Sequence, residues 1–198
     1  MSSSAPTVLL MQSARPEPEL EASLGPDRAR ELRAELASRA QAVAEELAGG
    51  DPARGADEAC LSRLVEALFD RRPEPVVVIW PYLPRMGSEH AQAALDDLRE
   101  GCELVLGPAI DGGLYLLGLS RPLPEVTAAV EEALLNGAAV SMSAAAAAST
   151  GLEIGFLRAE RALRTAYDVA AAMADPLTPD TIRRILVGGA IAEAKRMS

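Results

Sequence analysis

The tripeptide Asp111-Gly112-Gly113 has residue types that invite chemistry, and two readings fit it. Glycines let backbone come close to a ligand while Asp111 accepts a hydrogen bond from a sugar or a base; equally, Asp-Gly is a turn signal in its own right. Trp80-Pro81-Tyr82 follows directly on a run of aliphatic residues, and its two aromatic rings either fill a pocket or form its walls. The stretch QSARPEPELEAS sets Glu17, Glu19 and Glu21 against Arg15, so a polyphosphate approaching it meets net negative charge. Scarce residues narrow the chemistry further. His90 is the sole histidine, which argues against His-based zinc sites and Ser-His-Asp triads. Cys60 and Cys102 lie far apart without metal-ligand spacing and read as reduced, half-buried thiols. Lys195 is the only lysine, so the body of the chain has none to grip a phosphate or form a Schiff base.

Alternating strands and helices must position these residues. The chain has 198 residues with 49% hydrophobic content, enough for one sizeable core, and is expected to form a single α/β domain over residues 1–198. Its net charge of -10 leaves no basic footprint for nucleic acid or an anionic membrane surface. No apolar run reaches membrane-spanning length, and the first residues lack a basic region and a small-residue cleavage site, so the expected location is the cytoplasm.

Residues 7–11 and 76–80 are continuous apolar runs, as expected of strands covered on both faces. Residues 103–106, 114–119 and 152–157 supply further strands. Pro26-Asp27 opens a long helix that Gly49-Gly50 closes, and Asp57 is placed to cap the next. Ser88 caps a third helix with His90 exposed in its first turn. Residues 124–135 are helical, and the nearly all-alanine residues 143–149 suit a helix packed closely on a sheet. Thr178-Pro179 starts a last helix, whose docked part is expected to end at Gly188-Gly189. The pattern predicts three layers: a mainly parallel sheet with helices on both faces.

VVVIWPYLPRM and, after a helix, ELVLGPAIDGGLYLLGLSRPLP resemble an uncharacterised bacterial transferase family, domain of unknown function 2064. The likeness is best over residues 75–124 and weaker as far as the final helix. It implies the GT-A fold of nucleotide-sugar glycosyltransferases and a relationship to guanylyltransferases. In that family a Lys- and Arg-bearing loop after the first strand holds phosphates, a Gly-Ser/Thr-Asp triplet ends the central strand, and a late Asp-Val-Asp segment helps to hold Mg²⁺ or Mn²⁺. Here Ser13, Glu21 and Ser23 stand where the basic residues would be, and Glu17 or Pro18 where the loop glycine would be. Trp80-Pro81-Tyr82 replaces the triplet, and Tyr167-Asp168-Val169-Ala170 keeps one carboxylate of two. The family's strand between the first two helices has no apolar counterpart here, so the sheet is expected to be one strand short.

The resemblance leaves two classes of function. One is a metal-dependent glycosyl- or nucleotidyltransferase, with Asp111, Gly112 and Gly113 touching substrate and Asp168 holding the metal. The other is a relative without catalysis that binds a ligand or a partner, as a homodimer or beside an active enzyme. In that case Trp80 and Tyr82 shape the pocket, and the Ala-rich residues 138–148 offer a contact surface unless the domain itself buries them.

Overall fold

The computed structural model describes residues 6–12, 17–55, 60–136 and 138–196. In chain order its elements are β1 (Thr7–Met11), α1 (Pro18–Leu24), α2 (Pro26–Ala48), β2 (Ala53–Gly55), α3 (Leu61–Arg71), β3 (Val76–Ile79) and α4 (Ser88–Glu100). They continue with β4 (Leu104–Pro108), β5 (Leu114–Leu119), α5 (Pro124–Asn136), α6 (Ala139–Thr150), β6 (Ile154–Phe156), α7 (Ala166–Ala174) and α8 (Asp180–Arg196).

Side-chain alternation in the strands creates two apolar faces. The sheet order is β2-β1-β3-β5-β4-β6, and β5 alone runs against its neighbours. Leu9, Val76, Val78, Leu106 and Leu117 pack on one face with Leu61 and Val65 of α3, Val126 and Val130 of α5 and Ala139 and Ala147 of α6. Val8, Leu10, Val77, Ile79, Val105 and Leu116 turn to the other face, where α2 and α4 meet them through Ala40, Val43, Ala94 and Leu95. A third cluster joins Leu20 and Leu24 of α1, Leu32 and Leu36 of α2, Val169 of α7 and Ile182 and Leu186 of α8. Each of these large aliphatic side chains gains about 1.5–3 kcal/mol on burial, so a charge at Val78, which is wholly buried in the sheet, would unseat the core.

Several expectations need correction. The sheet is not short at its β1 side, because Ala53–Gly55 forms β2, parallel to β1, with Leu9 opposite Ala53. Gly55 leaves room there for Met11, whose Sδ would stand 2.6 Å from a Cβ. Part of the acidic stretch is helical: Pro18 occupies the first turn of α1, and Leu20 and Leu24 are buried one turn apart. α8 continues through Gly188-Gly189 to Arg196. Ser88 is the first residue of α4 rather than its cap; Gly87 precedes the helix and its N–H donates to His90 Nδ1 at 3.3 Å. His90 is not exposed, but packs edge-on to Tyr115 with ring centroids 5.6 Å apart. The cap expected at Asp57 lies outside the described residues. The Ala-rich helix buries Ala139, Ser143 and Ala147 on successive turns of α6.

A register shift between β4 and β5 matters for the site. Leu116 faces Gly107 and Leu114 faces Pro108, leaving Tyr115 as the extra residue of a bulge. Tyr115 and Leu116 therefore point to the same side of the sheet. The Tyr115 carbonyl accepts the N–H of Trp80 at 3.0 Å, which ties the end of β3 to the start of β5. Gly107 is required beneath the bulge, where a Cβ would lie 2.8 Å from the Tyr115 ring.

Candidate functional site

From β1 the chain passes to β2 on one side and then to β3 on the other, so a topological switch point lies between β1 and β3. Open α/β sheets bind ligands at that position, beyond the carboxyl ends of the strands. A cleft of about 650 Å³ lies there, within the size range of small-molecule sites. Its floor comes from Leu10, Met11 and Gln12 at the end of β1 and from Pro81 and Tyr82 after β3. One wall is a face of α2, on which Arg33, Ala37 and Gln41 recur on successive turns. Small side chains in the middle of that wall leave the room.

The surrounding guanidiniums are balanced by carboxylates. Arg33 Nη2 donates to Glu21 Oε1 at 2.8 Å, Arg30 pairs with Asp27 at 3.0 Å, and Arg54 lies 3.6 Å from Asp51. Of the acidic residues noted after the first strand, Glu21 thus meets an arginine of α2.

Arg164, between β6 and α7, is the central residue that sequence reasoning missed. It stands beside the cleft, against Glu17 and Tyr82, which also line it. Its Nη1 donates to Asp111 Oδ2 at 3.1 Å, its Nε is 3.9 Å from Glu17 Oε1, and its guanidinium carbon stands 4.2 Å from the Tyr82 ring centroid. Such stacking on an aromatic face is favourable for arginine. Desolvation pulls the Arg164 pKa down, yet Tyr82 and Asp111 more than offset it, and the net shift is upward. No motif marks this arginine; the run AERALRT gives no hint of a partner 53 residues away at Asp111.

The turn before β5 answers the two readings of Asp111-Gly112-Gly113 in structural terms. Gly112 adopts φ +87°, a left-handed conformation that favours glycine. Asp111 Oδ1 accepts the Gly113 N–H at 3.0 Å, closing an Asx turn, while Oδ2 holds Arg164. Gly113 serves close approach, since a Cβ there would be 2.8 Å from Arg164 Nη1. Gly113→Ala is expected to push the guanidinium off Asp111 and cost about 1 kcal/mol; thermal unfolding measures it, and an unchanged midpoint would contradict the packing argument.

Trp80 and Tyr82, paired in the sequence, share one core cluster but differ in their access to the cleft. Tyr82 lines the cleft, whereas Trp80 is 0% exposed within the core on the α3, α5 and α6 side and does not line it. Trp80 is therefore no wall of the open cleft. Its indole N–H has no hydrogen-bond partner among the described residues.

Asp168 is committed elsewhere. Its Oδ2 accepts from the Thr165 hydroxyl at 2.8 Å, the Thr165 N–H at 3.0 Å and the Arg164 N–H at 3.3 Å, while its own N–H donates to Thr165 Oγ1. This is a reciprocal cap on α7, in which Asp takes the place of the usual Glu or Gln. Oδ1 accepts from Arg161 at 3.2 Å. The residues present do not fit the divalent metal that the resemblance implies: Tyr82 offers a phenol under a guanidinium, Asp168 is already coordinated by N–H and O–H donors, and among the described residues no three His, Cys, Asp or Glu side chains gather to hold an ion.

Glu17 is the carboxyl of the cleft with an altered acidity. Burial raises its pKa most; Arg164 and Arg33 lower it, Asp111 and Glu21 raise it, and it rests at about 7 instead of 4.5. Between those values the folded chain holds a proton that the unfolded chain has lost. Stability should therefore fall as pH rises from 4.5 to 7, and the full penalty should persist above. Glu17→Gln is expected to gain on the order of 2–3 kcal/mol relative to the parent between about pH 4 and about pH 8. Denaturant unfolding at both values checks this; an equal difference between the two proteins at both would contradict it.

The family model described as "uncharacterized protein conserved in bacteria (DUF2064)" matches residues 11–137. No curated protein matches the chain. Among solved structures, a protein from Desulfovibrio desulfuricans G20, provisionally assigned as a nucleotide-diphospho-sugar transferase and determined at 1.90 Å, superposes with a TM-score of 0.77. The identity is 17%, and the superposition covers 98% of each chain. The fold is thus GT-A-like, as the sequence resemblance implied. Among the described residues no helix is long and apolar enough to cross a membrane.

Proposed function

Because the chain belongs to the bacterial DUF2064 family and has a GT-A-like fold, we propose that it is a small-molecule-binding relative of the nucleotide-sugar transferases that acts without metal-assisted transfer. It binds its ligand in the cleft between β1 and β3, alone or beside a partner. The observation that carries this reading is the coexistence of an open cleft with an Asp168 carboxylate spent on the α7 cap. Trp80 and Asp168 serve the scaffold in this reading, while Tyr82 and Glu17 form the ligand side, with Arg164, tied to the Asp111-Gly112-Gly113 turn, beside them.

The test is thermal unfolding with nucleotide sugars and nucleoside triphosphates, each with Mg²⁺, Mn²⁺ or chelator, alongside an assay for released nucleotide or pyrophosphate. A bound ligand at about 100 times its Kd adds about 2.7 kcal/mol of stability. The expected result is stabilisation indifferent to metal, without turnover. Metal-dependent turnover that Asp168→Asn abolishes overturns the reading.

One observation favours an active transferase instead. Glu17 lines the cleft beside Arg164 with a pKa of about 7, as a general base working near neutrality requires. Turnover independent of metal and lost in Glu17→Gln would establish that second reading.

A further inference from the structure

We infer that the guanidinium of Arg164 is the resident cation beside the cleft, occupying the place between Glu17 and Asp111 where a divalent metal drawn to those two carboxylates would have to sit, so that the cleft binds without one. Only the last clause rests on the function proposed above.

Two carboxylates from distant segments converge on this side chain, Asp111 at 3.1 Å from Nη1 and Glu17 at 3.9 Å from Nε. Its flat face lies on Tyr82, so the ring presents a π surface to the cation from below. Gly113 has no Cβ where one would lie 2.8 Å from Nη1, and the turn thus makes room for the guanidinium. The side chain keeps only 25% of its surface exposed, and three segments enclose it. A guanidinium does not deprotonate to make way for another cation. An ion drawn to Glu17 and Asp111 would stand beside a fixed positive charge in a partly desolvated place, where repulsion is strong. The carboxylate that could help to offset this, Asp168, belongs to a helix cap.

The inference makes a direct prediction about metal affinity. Mn²⁺ is titrated into the full chain and into Arg164→Ser, with free ion read by electron paramagnetic resonance. Arg164→Ser is expected to bind Mn²⁺ at least about tenfold more tightly than the parent, and adding Asp111→Asn to it should remove the gain. A folded Arg164→Ser, checked by circular dichroism, that binds Mn²⁺ no better than the parent overturns the inference. The parent provides an independent measurement should the variant fail to fold: Mn²⁺ should leave the Gly113 amide signal sharp, and selective broadening of that signal overturns the inference. Neither reading needs a cleft ligand, so an empty cleft would sink the proposed function and leave the cation's place standing.

Discussion

Trp80→Gly, which restores the residue type of the resembling family, is expected to cost at least about 3–5 kcal/mol and to open no ligand site. Truncating a buried tryptophan to alanine already costs that much, through lost transfer energy and a residual cavity. Trp80 is wholly buried, and Leu61, Val65, Leu106 and Leu114 belong to the same core cluster. Its backbone is not in the left-handed region, so glycine brings no conformational relief there. Denaturant unfolding followed by circular dichroism measures the loss. Trp80→Phe is the control: it keeps most of the ring volume and removes an indole N–H without a partner among the described residues, so it should cost less than about 1.5 kcal/mol. A stable Trp80→Gly protein with improved nucleotide affinity would mean that the indole does block the cleft.

Asp168→Ala carries the second large effect, a loss of up to about 3 kcal/mol. Removing an N-terminal cap costs about 0.5–2 kcal/mol. Here the N–H groups of Arg164 and Thr165 also lose their acceptor, and because both are only partly buried the added cost is about 1 kcal/mol, the low end for an unmatched group. Arg161 loses its partner as well, but it is partly exposed and that share is small. A metal ligand behaves differently: its removal abolishes ion binding and leaves the apo chain as stable as before. Unfolding without metal therefore separates the two roles, and an unchanged midpoint would return Asp168 to the metal-ligand reading.

The architecture was readable wherever burial on both faces forces a pattern. Residues 7–11, 76–79 and 114–119 are strands because aliphatic runs of that length fit only a covered sheet. β2 was unreadable: Ala53-Arg54-Gly55 pairs with a single neighbour at the sheet edge and needs no apolar run. α1 was hidden by its glutamates, although Leu20 and Leu24 carry its buried stripe. For α7, Asp168 looked like chemistry because its capping role depends on Thr165 and on the fold around Arg164. The candidate site shows the same limit. Asp111 and Tyr82 stood out by type and motif, but the cation that joins them lies far along the chain, and spacing says nothing about such a meeting.

The reversed direction of β5 shapes the order of assembly. β4 and β5 are joined by residues 109–113 alone, so Leu106 finds Leu117 after closing a small loop, whereas Leu9 must find Val78 across three helices and an edge strand. Loop closure becomes more costly with chain length, and local pairings form sooner. The hairpin is therefore expected to gain amide protection early in refolding and β1 late, in pulse-labelled hydrogen exchange; simultaneous protection would refute that order. The cleft draws its floor from β1 and β3, which makes recognition the last property the nascent fold acquires.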